Sequence, residues 1–195
     1  MIFGNSIRMH EGTVNLTMNG RKNRISYRLV KLDKEERMID LNKPQLLKGF
    51  NEVTKGNGYY KARLSTAASP KELMAGNYML RSISKAKNTD HVIYTMESFE
   101  QYPDLHYATL DFKKSIRLTH GIDQQKDYLW GTAELVSWIS LDGRKLKGVV
   151  YKPADFDPAK KYPMIVSFYE RNSETLFNYR MPEPHRSTID YHLYN

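Results

Sequence analysis

Three stretches of this chain repeat one pattern: a strand-like run containing Tyr, then a Leu, a short polar turn and a second apolar run. They are Tyr27 to Asp33 leading to Met38–Leu41, Tyr59 to Ser65 leading to Glu72–Gly76, and His106 to Asp111 leading to Ile116–Gly121. Leu32, Leu64 and Leu110 stand 32 and 46 residues apart. That spacing is close to the roughly 40-residue period of a four-stranded propeller blade. A period of this kind constrains the fold more than composition does, because each unit must stack on a neighbour to bury its apolar face. It predicts about three blade-like repeats over residues 1–133.

The other local signals agree with a β-rich chain. Tyr78–Ser84 and His91–Glu97 read as strands split by the polar turn Lys85–Asp90. Ser69-Pro70-Lys71-Glu72 carries a helix-start signature, a cap residue, a first-turn Pro and an acid three residues on. Gly76 would end such a helix after little more than a turn, so the repeat decides for a turn followed by a strand. After Trp130 the character changes. Glu134–Ser140 and Lys145–Tyr151 alternate around Asp142-Gly143, which predicts a hairpin. Pro163 to Tyr169 is a nearly continuous apolar run, the form of a strand buried on both faces of a mixed or parallel sheet. Ser187 to Asn195 opens with a capping pattern and predicts the start of a helix.

Composition narrows the function classes. Aromatic residues at 12% and charged residues at 27% exclude a disordered or collagen-like chain. The absence of Cys excludes disulfides, thiolate metal sites and a cysteine nucleophile. Its net charge of +8 invites a nucleic-acid reading, with Arg21, Lys22, Arg24, Arg28 and Lys31 clustered around Tyr27. Acids follow at Asp33, Glu35 and Glu36, and strand alternation puts Arg24 and Arg28 on one face, so the reading adopted is a solvated basic strand face and no nucleic-acid partner. No apolar run approaches the roughly 18 residues of a membrane helix, and Arg8, His10 and Glu11 interrupt any signal-peptide core. No membrane partner is expected, and the compartment stays open. The six His residues show no metal-ligand spacing, so no metal site is expected, and His106 and His120 are expected on a blade surface.

The run from Trp130 through Tyr151-Lys152-Pro153, followed by Lys160-Lys161-Tyr162-Pro163 to Tyr169, resembles the propeller-to-hydrolase junction of the prolyl oligopeptidase and dipeptidyl peptidase IV family of serine peptidases. Residues 1–129 are similar to that family's closing propeller blades, a less diagnostic match. The resemblance implies a mainly β chain, incomplete propeller blades (1–133) followed by the first strands of an α/β-hydrolase domain (134–195), cut before the nucleophile. It implies peptide-bond hydrolysis by a Ser-Asp-His triad in the parent protein, a peptide substrate and no cofactor. No G-x-S-x-G occurs in the chain; Gly4-Asn5-Ser6 is the nearest approach and lacks the second Gly. One element of the machinery has a match: by resemblance Tyr169, ending the apolar run, is an oxyanion-hole donor. Glu170 and Arg171 follow where many family members carry small residues, and they are weak substrate-binding candidates beside a simple surface pairing. Arg180, Glu183 and Arg186 are expected to be solvated.

A propeller ring needs at least four blades, about 160 residues. With about three repeats and an unfinished second domain, the expectation is an inactive fragment with open sheet edges that favour homo-oligomers. The rival expectation is a non-catalytic β-rich module that binds peptides or protein partners.

Overall fold

The computed structural model describes residues 3–4, 14–33, 35–169, 171–184 and 189–194. The chain is mainly β, and every strand pair is antiparallel. A short pair, β1 (Phe3–Gly4) with β2 (Val14–Asn15), precedes two four-stranded sheets. The first holds β3 (Ile25–Leu29), β4 (Pro44–Asn51), β5 (Asn57–Arg63) and β6 (Lys71–Gly76) in chain order. The second holds β7 (Met79–Lys85), β8 (His91–Glu97), β9 (Asp104–Thr109) and β10 (Ser115–Arg117), again in chain order. One helical turn, α1 (Ile122–Gln125), leads to the hairpin of β11 (Thr132–Ile139) and β12 (Lys145–Lys152). Among the described residues the sheets do not close, and none is parallel, so neither a propeller ring nor an α/β-hydrolase sheet is formed.

Alternation in β5 ties the first sheet to two cores. Tyr59 points into the seam between the four-stranded sheets and Tyr60 points to the opposite face. In the seam Tyr59 meets Tyr94 edge-on at 5.9 Å and stacks on Phe112 at 4.9 Å, with Leu46, Leu80, Val92 and Ala108 filling the space around them. Burial pushes the Tyr59 hydroxyl well above the usual phenol range, and Tyr94 and Tyr78 add to that shift. On the far face Tyr60 packs edge-on against Tyr27 at 5.1 Å, above Leu47. This contact depends on Gly49, where an added Cβ would stand 2.4 Å from the Tyr60 ring.

Several expectations hold. Lys71–Gly76 is a strand, not a helix, because it completes the hydrogen-bonding edge of β5. The strands on either side of Lys85–Asp90 form as read. The hairpin forms around Asp142-Gly143, with Gly143 at φ +78°, a conformation that costs glycine little.

Others are corrected. Met38–Leu41 is not a strand: the Asp40 side chain accepts the Asn42 amide at 3.0 Å, turning the chain so that the strand begins at Pro44 instead. Leu32 therefore follows the first strand of its sheet, while Leu64 and Leu110 follow third strands. Residues 25–117 build two four-stranded units. Pro163 to Tyr169 forms no strand, and Met164, Ile165, Val166 and Phe168 lie exposed. A strand of that kind needs partners on both sides, and none is present among the described residues. Of the expected terminal helix, Ser187, Thr188 and Asn195 lie outside the described residues; residues 191–193 form a turn capped by Asp190, whose carboxylate accepts the His192 amide at 2.9 Å.

Candidate functional site

Tyr169 sits at the end of the irregular segment with 79% of its surface exposed, so its phenol faces water and no reacting partner. Glu170 lies outside the described residues. Arg171 is exposed and pairs with Glu174 at 3.5 Å, one helical step away, the surface pairing of an ordinary solvated cation. The structure thus does not gather Tyr169 and Arg171 into a site.

What it does gather is a set of aromatic side chains that the sequence reading missed. They come from the loop after β8, from the entry to the hairpin, from β12 and from the C-terminal segment. Trp130 donates its indole N–H to the Phe99 carbonyl at 2.8 Å and stacks on Tyr179 at 5.2 Å. His192 lies 4.1 Å from the Trp130 ring and 5.3 Å from Phe99, and its Nε2 donates to the Arg180 carbonyl at 2.8 Å. Tyr151 stacks on Tyr191 at 4.1 Å, with the Arg180 guanidinium 5.5 Å from the Tyr191 ring. Burial raises the Tyr151 hydroxyl pKa, against hydrogen bonds from Thr175 and Arg180 that lower it. Arg180 is accordingly half-buried, against the expectation of a solvated residue, and its Nε is buried with no hydrogen-bond partner in the structure. Glu183 is exposed as expected; Arg186 lies outside the described residues. The signal was there as a high aromatic content late in the chain, but the contacts join residues up to about ninety positions apart, which no local pattern encodes.

One hydroxyl and imidazole pair tests whether chemistry is assembled elsewhere. Ser115 Oγ lies 3.5 Å from His106 Nδ1, a separation at the limit of hydrogen bonding, and its shorter contact, 2.7 Å, is to the Tyr94 hydroxyl. His106 is 6% exposed, a correction to its expected surface position, because β9 turns its even-numbered residues into the seam. Burial lowers its pKa, with Asp104 opposing the shift. His106 Nε2 and Asp104 Oδ2 each lack a hydrogen-bond partner. With its imidazole not hydrogen-bonded to an acid and its serine engaged by tyrosine, this set has no oriented base and is not a triad.

A cleft of about 470 Å³ opens at one end of the seam, between the 30–46 stretch and the β7–β8 turn. Leu29, Met38, Ile39 and Leu110 give it apolar walls, and Lys31, Lys43, Lys85, Lys87, Asp33, Glu35 and Glu36 also line it. Its size suits a small ligand or a peptide side chain and its neighbours. Among the described residues no group of three metal-ligating side chains occurs, and no helix is long and apolar enough to cross a membrane.

No protein-family profile matches the chain, and no curated protein does. Among solved structures the chain is similar to the isopeptidase AtxE2 in a variant with Astexin3-dC4 bound, at a TM-score of 0.44 and 12% identity, over 77% of this chain and 27% of that one. It is similar to the same isopeptidase without ligand at a TM-score of 0.43 and 12% identity, over 72% of this chain and 26% of that one. The chain spans about a quarter of the length of these structures, and likenesses this weak carry no argument about fold or function.

Proposed function

We propose that this chain is the blade-and-junction portion of a serine-type peptidase of the prolyl oligopeptidase family, contributing surface that holds peptide while the bond-breaking groups lie elsewhere in the parent protein. The observation that carries the reading is the order of elements: two four-stranded meanders in succession, then the β11–β12 hairpin, then the Pro-punctuated apolar run ending at Tyr169. In this reading the meanders are propeller blades and the hairpin opens the hydrolase sheet. Residues 163–169 then become a strand once neighbours pair with both their edges, and the Tyr169 phenol donates to the oxyanion of the acyl-transfer intermediate. Glu170 and Arg171 follow that donor in sequence as candidates to contact a substrate terminus, and no cofactor takes part.

The test is the natural protein. Its intact mass should exceed 22.8 kDa severalfold, and a fluorophosphonate probe should label one serine that follows Asn195 in the parent chain. A larger protein that never labels refutes the peptidase reading. The second reading, a non-catalytic binding module, is favoured by the 470 Å³ cleft, whose size suits a small ligand or a peptide side chain. A natural mass near 22.8 kDa selects it.

A further inference from the structure

The register of the second sheet places His106 of β9 between two side chains on one face, Tyr94 of β8 on one side and Arg117 of β10 on the other. The imidazole is 6% exposed and stacks on the Tyr94 ring at 5.5 Å, with the planes 24° apart. From β10 Ser115 also faces it, Oγ to Nδ1 at 3.5 Å, and from β9 itself Asp104 lies two residues along on the same face. Asp104 and Arg117 are therefore the charged groups set around His106, and Tyr94 is the titratable one. The carboxylate is already engaged. Asp104 has no exposed surface; its Oδ1 accepts the Thr119 hydroxyl and the Gly121 amide, both at 2.8 Å, and its Oδ2 stands 3.7 Å from an Arg117 guanidinium nitrogen. A proton on His106 adds a second positive charge directly across the ladder from Arg117, and like charges in that position destabilise a strand pair. Burial already disfavours the charged imidazole, Asp104 opposes that effect and Arg117 adds to it.

β10 is the strand of this sheet least able to withstand such a charge. It stands at the edge, is three residues long, and Ser115, Ile116 and Arg117 are all exposed. By contrast β8 and β9 pair over six positions. The contacts that tie β10 down run through the same group of residues: Ser115 Oγ meets the Tyr94 hydroxyl at 2.7 Å, Thr119 donates to Asp104, and the Leu118 amide donates to the Leu105 carbonyl at 2.7 Å.

We infer that His106 is an acid-sensitive latch on β10: once protonated it faces Arg117 across the ladder, and the edge strand leaves β9 while the rest of the seam stays folded. Release bares the edge of β9 and the Tyr94 hydroxyl. It also opens the imidazole to water, where the ring takes up its proton at the ordinary value of about 6.5, so release grows as pH falls below about 6.5. None of this depends on the peptidase reading, since every residue involved belongs to the second four-stranded sheet and the turn that follows it.

The test is amide hydrogen exchange of this chain at about pH 7.5 and about pH 5.5, read by mass spectrometry on peptides covering residues 115–118 and 57–63 and corrected for the intrinsic pH dependence of exchange. Protection of residues 115–118 should fall about threefold or more on acidification, with about tenfold the ceiling for one proton over one pH unit below 6.5. Exchange there should not respond to about 1 M urea at either pH, whereas that of residues 57–63 should, because a local opening exposes little surface. His106→Gln should abolish the fall. Arg117→Gln removes the charge opposite the imidazole and should shrink it; this side chain is partly exposed on an edge strand, so the variant keeps the test decisive if His106→Gln fails to fold. Equal protection of residues 115–118 at the two pH values, a fall that persists in His106→Gln, or a full-sized fall in Arg117→Gln overturns the latch. A urea response of residues 115–118 equal to that of 57–63 overturns it too, since the opening is then global.

Discussion

If the seam between the two four-stranded sheets is the structural centre of this chain, Leu80→Ala should destabilise both sheets together. Leu80 has no exposed surface, lies on the strand where the second sheet meets the first, and shares its core with Leu46 and Tyr59 of one sheet and Val92 and Tyr94 of the other. Removing the buried side chain beyond Cβ leaves a cavity that close-packed aromatic rings cannot collapse into, and Leu→Ala changes at such sites cost about 3 kcal/mol, within a range of roughly 2 to 5. Against a total stability of about 5–15 kcal/mol, that is a large share. The partner control is Ile93→Ala on the adjacent strand β8, a position 41% exposed, where the loss should stay below about 1 kcal/mol. Urea unfolding followed by far-UV circular dichroism reads the sheets, and tryptophan fluorescence reads the junction through Trp130 and Trp138. The expected result is a lower midpoint, the same slope and coincident transitions. A loss under about 1 kcal/mol would remove the seam from the account, and two separated transitions, with only one shifted, would show that the sheets fold independently.

Three further outcomes follow from specific contacts. Asn57→Ala should cost about 1–3 kcal/mol, because Asn57 Oδ1 accepts the buried Leu80 amide at 3.2 Å and that donor would be stranded; a midpoint equal to wild type would show that the amide finds another partner. His106 is buried with its pKa below the ordinary 6.5, so the unfolded chain takes up its proton first on acidification: its stabilising contribution is complete above about pH 6.5 and falls as pH drops toward the folded value. His106→Gln should flatten that part of the urea midpoint's dependence on pH, and an unaltered slope would assign it to other groups. Val166→Glu should reduce self-association measured by light scattering, since Val166 is 69% exposed within an apolar run that has no strand partner among the described residues; a wild-type chain that is monomeric at every concentration would refute this.

The strands of this chain were legible because their causes are local. Tyr59-Tyr60, Val92 and Tyr94 alternate at the period of a strand, and Asp142-Gly143 supplies the conformation a hairpin turn requires, so β5, β8 and the β11–β12 hairpin could be read without their neighbours. The choice of strand over helix at Lys71–Gly76 was also available, through Gly76 and the repeat. Grouping was less legible. Leu32 occupies the same local pattern as Leu64 and Leu110 yet follows a first strand instead of a third, because the Asp40 turn defers the next strand to Pro44.

Site chemistry was legible only as residue types. The resemblance drew attention to Tyr169, whose apolar run lies exposed, while the stacking of Trp130 on Tyr179 and the burial of Arg180 Nε arose from chain segments far apart in sequence. Arg28 reads as a solvated cation, and only the register sets it opposite Lys48, twenty residues along the chain. Sequence alone determined that the chain is β-rich, cysteine-free, basic and without a G-x-S-x-G nucleophile elbow, since those properties reside in composition and in patterns a few residues long. Tertiary structure alone decided that His106 is buried, that the two sheets share one aromatic seam, and that Arg28 stands opposite Lys48, because packing and register bring together groups that no local periodicity relates.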